Sequence, residues 1–257
     1  MKHFTLCSSF LFFTLSLFSQ IVETDWTSLN LNEPVGKYVH ATSVVNENVI
    51  WGLPMTQNGN FITGDQFFRT LDGGQTFEID TLPFSLTDIF SNNIQALDEN
   101  IAIIASSSLS TPFREGIYKT IDGGQTWELL YDAEAFEVQP LEIHFFNNAD
   151  GIFIGAVQEG NTFVAVLYYT QDGGDSWTLS SGQISTSYLF AFGGNNIKEV
   201  VGDTIWIASD RILRSTDKGQ TWEEFDIGIQ DGVASDVAFK DATNGLTVVP
   251  TNTNLDP

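Results

Sequence analysis

The sequence predicts an all-β fold, a β-propeller of four-stranded antiparallel blades, with about four blades and part of a fifth in this chain. Three observations carry that prediction. A turn phrase of the form Ser/Thr-x-Asp-x-Gly-x-x-aromatic occurs four times without gaps, its aspartates spaced by 50, 50 and 45 residues. Strand-like runs precede each turn phrase at matching distances, and helical periodicity appears nowhere at useful length. Repetition at a period of this size marks an array of similar supersecondary units rather than one continuous core.

The chain opens on a segment that precedes the fold. Met1-Lys2-His3 carries the early positive charge, and Phe4 to Phe18 is apolar or small and uncharged. Ser19 follows, then Gln20 and the acidic Glu23-Thr24-Asp25. Residues 1–19 read as a secretory signal peptide, too short in its apolar run for a membrane span. The expectation is an exported chain, secreted, periplasmic or on the cell surface, with the propeller over residues 20–257 and no membrane span once the signal is removed. Cys7 is the single cysteine and lies inside the signal, so no disulfide is expected in the mature chain. With no such staple, the core alone must hold the fold.

The four turn phrases are Thr70-Leu-Asp72-Gly-Gly74-Gln-Thr-Phe77, Thr120-Ile-Asp122-Gly-Gly124-Gln-Thr-Trp127, Thr170-Gln-Asp172-Gly-Gly174-Asp-Ser-Trp177 and Ser215-Thr-Asp217-Lys-Gly219-Gln-Thr-Trp222. Each makes sense as a hairpin. Asp accepts bonds from backbone N–H groups just downstream, and Gly two residues later supplies a positive φ. Strand endings such as Phe67-Phe-Arg-Thr70 lead in, and the aromatic opens the returning strand, where it can wedge between neighbouring sheets. Upstream, Asn100 to Ala105 and Asp203 to Ala208 are apolar on both faces, as strands covered on two sides must be. Ile143 to Phe146 and Val237 to Phe239 supply the strands before those. Blades are expected at 38–82, 88–132, 138–182 and 186–228, with Gly232 to Val249 giving two strands of a fifth. Trp51 and Trp206 fall in inner-strand phrases and read as blade core. Asp25-Trp26-Thr-Ser-Leu29 resembles the returning strand Asp175-Ser-Trp177-Thr-Leu179, so we expect a longer propeller of about six to eight blades, or else a five-bladed ring with a reduced last blade.

The turn phrase resembles the Asp-box, or BNR, repeat of sialidases, xyloglucan-type glycosidases, sortilin-type receptors and photosystem II assembly-factor propellers. Phe77 in place of Trp is the main departure, and phrases such as Phe145 to Gly155 are most similar to the assembly-factor group. The resemblance implies that Asp72, Asp122, Asp172 and Asp217 are fold elements on the face opposite the ligand. A calcium loop at these turns is not expected, because each offers one carboxylate where calcium wants six to eight oxygens.

On the opposite face the second-to-third connections would be Leu53 to Gly64, Ser106 to Gly116, Val157 to Thr162 and Ser209-Asp210, and long loops on a rigid scaffold are where binding lives. A sialidase would need three clustered arginines; the chain has Arg69, Arg114, Arg211 and Arg214, and Arg69 and Arg214 flank the turn phrases on the wrong face. Other glycosidases need only two carboxylates across the scissile bond, and among 33 acidic residues none can be nominated. His144 lies between Ile143 and Phe145 in a strand phrase and reads as structural, and no nucleophile, phosphate-loop or zinc spacing occurs. Catalytic residues are therefore unknown, and no cofactor or metal is expected. A net charge of −23 disfavours nucleic acid and anionic lipid as partners. The expected function is a non-enzymatic propeller that binds a protein or glycan through its loop face. The alternatives are a secreted glycosidase with the same repeats and a structural repeat module of a larger surface protein.

Overall fold

The structure is a computed structural model that describes residues 37–58, 61–87, 92–106, 115–159, 162–182, 198–209, 211–228 and 236–249. The segment expected to be a signal, residues 1–19, lies outside those residues, as do Arg114 and Trp26. Strands β1 (Lys37–Val44), β2 (Ile50–Asn58), β3 (Phe61–Thr70) and β4 (Glu78–Thr87) form the first antiparallel sheet. The second holds β5 (Asn92–Ala96), β6 (Ala102–Ser106), β7 (Gly116–Thr120) and β8 (Glu128–Asp132). The third holds β9 (Gln139–Phe145), β10 (Gly151–Glu159), β11 (Thr162–Thr170) and β12 (Thr178–Leu179). In the fourth are β13 (Lys198–Val201), β14 (Thr204–Ala208), β15 (Arg211–Ser215) and β16 (Glu223–Asp226). A two-stranded piece, β17 (Asp236–Phe239) and β18 (Gly245–Val248), comes last. Each sheet is a meander in chain order, and the architecture is propeller-like, with four blades and part of a fifth.

Sheets pack face to face because their middle strands are apolar on both sides. In β6, Ala102 and Ile104 join the core shared with the first sheet, while Ile103 and Ala105 join the core shared with the third. In β10, Phe153 packs toward the second sheet and Ile152 and Ile154 toward the fourth. In β14, Ile205 and Ile207 face the third sheet, and Ala208 faces the fifth. The alternation is the period-two consequence of a pleated strand with a neighbour on each face. Burying such a side chain is worth roughly 1.5–3 kcal/mol, so these middle strands dominate the stability of the stack. Trp51 and Trp206 are buried in them, as their sequence context suggests.

Two sequence expectations need correction. The connection expected over Leu53 to Gly64 is strand for most of its length: β2 runs to Asn58 and β3 starts at Phe61, with register shifts between Gly52 and Thr56 and between Gly64 and Gln66. Leu53 and Met55 are fully buried against the second sheet, and that burial draws the strands outward past the expected turn. Likewise the Val157 to Thr162 connection narrows to residues 160 and 161 between β10 and β11. Among the described residues the one helical stretch is a single turn, α1 (Ala133–Phe136), started by the Asp132 carboxylate, which accepts from Glu134 N, and ended by Glu137 in the left-handed region.

Candidate functional site

The four aspartate turns share one geometry. Thr70 Oγ1 donates to Asp72 Oδ1 at 2.8 Å and itself accepts from Gly74 N at 2.9 Å. The second threonine then closes the turn: Thr76 N donates to Asp72 Oδ1 at 2.9 Å and Thr76 Oγ1 to Asp72 Oδ2 at 2.7 Å. Asp122 is held the same way by Thr120 and Thr126, Asp172 by Thr170 and Ser176, and Asp217 by Ser215 and Thr221. Thr70, Thr120, Thr170 and Ser215 are buried, as a hydroxyl that both donates and accepts within the turn allows. Gly73, Gly123 and Gly173 adopt positive φ, and each donates its N–H to the turn between the first two strands of its own sheet. Both oxygens of every turn aspartate are thus occupied inside its own turn.

The aromatics Trp127, Trp177 and Trp222 act across sheet boundaries. Trp127 meets Phe67 and Phe84 of the preceding sheet edge-on. Trp177 lies against Phe153 and Phe145 of its own sheet, at the core shared with Ile103, Ala105 and Ile117 of the second, and Trp222 is buried with Ile152 and Ile154 of the third sheet. Beneath them, Gly124, Gly174 and Gly219 lie so close to Phe67, Leu130 and Ile152 of the preceding sheet that a Cβ would clash. Phe77 packs edge-on against Phe68 of its own sheet. Its departure from Trp is intelligible, because the ring N–H of Trp127 and of Trp177 has no hydrogen-bond partner while only Trp222 uses its own, on Gly219 O. The ring, not the N–H, is what the position requires.

Hydrogen bonds to the charged form hold the turn carboxyls low. Asp72 is lowered to about 2, first by Thr76 N–H and then by the hydroxyls of Thr76 and Thr70. Asp172 is lowered to about 2, first by the Ser176 hydroxyl. Asp122 moves the same way through the Thr126 hydroxyl, and in Asp217 the bonds from Thr221 and Ser215 outweigh desolvation. A carboxyl whose folded value lies below its unfolded one stabilises the fold above the unfolded value, and that contribution fades as pH falls through the folded one. Stability from Asp72 and Asp172 is therefore expected to be whole above about pH 4 and lost between about pH 4 and 2. Asp172→Asn should flatten that part of a plot of urea midpoint against pH. An unchanged slope would show that the turn does not favour the carboxylate.

Sequence reasoning missed a second polar array, on the inner strands β5, β9 and β13. Asn93 Nδ2 donates to Glu142 Oε1 at 2.6 Å, and Lys198 Nζ pairs with the same oxygen and donates to Ile143 O at 2.7 Å. Strands of three sheets thus meet at one carboxylate. Gln95 brackets Phe145, accepting from its N–H at 2.6 Å and donating to its carbonyl at 2.9 Å. The available signal was the alternation Asn93, Gln95 and Glu142, His144 in otherwise apolar strands. His144 lies edge-on to Phe146, and burial, with Lys198 nearby, pushes its imidazole down to about 3. The unfolded chain protonates this histidine first, so its contribution to stability declines as pH drops below about 6.5. His144→Gln is expected to lose less stability than the parent between pH 7 and 4, measured by urea midpoints; an equal loss would place the pH dependence elsewhere.

Of the arginines expected beside the turns, Arg69 pairs with Glu78 at 2.6 Å and donates to Glu99 O at 2.7 Å, and Arg214 pairs with Glu223 at 2.6 Å. Both are at the turn end of the sheets, so they are not brought together with Arg211, which approaches Glu224 and Asp226 at the far end of β15 and β16. At that far end also lie the second-to-third connections and α1, where Phe136 stacks on the buried Tyr131 while remaining exposed. The connection between Ser106 and Gly116 falls mostly outside the described residues. Among the described residues no group of three or more His, Cys, Asp or Glu is placed to hold a metal ion, and no helix is long and apolar enough to cross a membrane.

No protein-family model matches the chain, and no curated protein matches it. Among solved structures, similarity is found to YCF48 bound to a D1 peptide, at 15% identity and a TM-score of 0.35, covering 86% of this chain and 96% of that one. Similarity is also found to the GH74 enzyme of Niastella koreensis, at 14% identity and a TM-score of 0.38, covering 72% of this chain and 38% of that one. At these values neither the ligand of the first nor the chemistry of the second transfers to this chain.

Proposed function

We propose that this chain is an exported, non-enzymatic propeller whose aspartate turns are Asp-boxes serving the fold, and that it binds a protein or glycan partner through the opposite, loop-bearing end of its sheets. The observation that carries the reading is the saturation of the turns: each aspartate spends both oxygens on its own hairpin. A carboxylate so engaged has little left for a ligand. Recognition then falls to the other end, where connections vary in length from sheet to sheet and a rigid scaffold presents them.

The full chain, immobilised, is tested against a glycan array and against proteins of its own exported fraction, and incubated with xyloglucan and sialosides. The expected result is binding that persists in Ile121→Arg and Gln171→Arg, exposed at the turn end, and drops in Glu134→Arg and Phe136→Arg at the loop end. Binding lost through the turn-end substitutions would reverse the assignment of faces. Release of reducing sugar or sialic acid would replace it with the glycosidase reading.

A further inference from the structure

The joints between successive sheets are not built alike. Between the first and second, Phe84 stacks on Tyr118 at 3.7 Å and Phe67 meets Trp127 at 5.6 Å. Between the second and third, Tyr131 meets Phe153 at 4.8 Å, and between the fourth and fifth Trp206 stacks on Phe239 at 4.0 Å. No aromatic pair among the described residues spans the third and fourth; the buried part of their shared core is aliphatic apart from Trp222, whose N–H is turned back to its own hairpin, and Phe146 and Tyr169 pack against it only in part. Backbone spacing agrees. The inner strands β1 and β5, β5 and β9, and β13 and β17 run close together, whereas β9 and β13 do not.

Long side chains cross that wider gap. Lys198 of β13 reaches Glu142 and Ile143 O on β9. Lys218, in the fourth aspartate turn, reaches Asp150 of the third sheet at 2.5 Å and Asp203 of its own sheet at 3.7 Å. It holds φ +59 where the other three turns have glycine, a conformation a non-glycine residue adopts only against a steric cost. The outer rim is tied differently, by backbone and one serine hydroxyl. Ser181 N donates to Gln220 O at 3.0 Å, Trp222 N donates to Ser181 O at 3.0 Å, and Ser180 Oγ donates to Gly219 O at 2.5 Å.

We infer that the stack is jointed between its third and fourth sheets, hinged at the outer rim by the Ser180–Ser181 strap and latched at the inner rim by Lys198 and at the turn end by Lys218. Opening parts Lys198 from Glu142 and swings β13–β18 as a body, leaving the aromatic joints on either side intact. Hinge motions of this kind turn on a few element-terminal residues, and partly exposed ion pairs are weak latches. Units that open independently are visible as blocks of amides that exchange together.

The test is native-state hydrogen exchange by mass spectrometry on the full chain carrying Lys198→Met and Lys218→Gly, the latter restoring the glycine of the other turns. The comparator carries Arg69→Met and Lys119→Met, which remove the cations that cross the first two joints to Glu99 O and Gly173 O. We expect exchange in β13–β18 to accelerate at least about tenfold over that in β1–β11 in the latch variant and no such division in the comparator. Acceleration spread evenly over all sheets, unchanged exchange, or the same division in the comparator would each overturn the joint.

Discussion

Replacing Phe153 by alanine is expected to remove about 3–5 kcal/mol of folding stability, read as a shift in the urea midpoint at constant slope. Phe153 has no exposed surface, and its ring contacts three others: Tyr168 stacked at 4.8 Å, Tyr131 tilted at 4.8 Å and Trp177 edge-on at 4.9 Å. Each such pair adds roughly 0.5–1.5 kcal/mol beyond the area it covers. Two of the partners cannot follow the lost ring, because Tyr131 is pinned under Phe136 and Trp177 lies over Phe145, so the cavity stays open. Folded domains hold about 5–15 kcal/mol in total, so this one truncation takes a large share. Phe153→Leu keeps most of the volume and is expected to fall between parent and alanine variant. A loss under about 1 kcal/mol for the alanine variant would mean that the second and third sheets do not meet around this ring.

The repeated turns made the architecture legible. Asp72, Asp122, Asp172 and Asp217 stand in hairpins with the same hydrogen bonds, because residues that satisfy a turn locally need little from elsewhere. The doubly apolar runs at β6 and β14 are buried on both faces for the same reason of locality: the pattern belongs to the strand itself. What could not be read was decided between elements. Glu142 gained its role from Asn93, 49 residues earlier, and Lys198, 56 residues later. Leu53 and Met55 lengthened a strand beyond its turn signals because the second sheet covers them. The connection from Ser106 to Gly116 carries no self-satisfying pattern of that kind in its sequence.

Cations obey the same division. In a chain with 10 lysines and arginines against 33 acids, a positive charge has many acidic neighbours to choose from. Yet Arg69, Lys119, Lys198 and Lys218 all reach from one sheet to the next, and three of the four contact a backbone carbonyl there. A carbonyl is fixed by its strand or turn, whereas an exposed carboxylate pairs for little net gain. These four cations thus act as fasteners between blades.

Gly124→Ala should separate packing at these boundaries from backbone strain. Gly124 has φ +89, and an added Cβ would lie 2.7 Å from Phe67 Cε2 and closer still to Cζ. Phe67 cannot retreat, since it is stacked on Trp51 at 5.6 Å on one side and met by Trp127 at 5.6 Å on the other. The left-handed backbone costs about 1–2 kcal/mol with a side chain, and overpacking a filled core about 1–3 kcal/mol more. Gly202→Ala supplies the reference, because Gly202 also has positive φ, +62, with nothing within 4 Å of a new Cβ. It should therefore lose only the backbone part. Denaturant midpoints for the two variants are expected to differ by the packing cost, with Gly124→Ala the less stable. Equal losses would show that the first and second sheets can part enough to admit a methyl group, and that the aspartate turns are not wedged against the preceding blade.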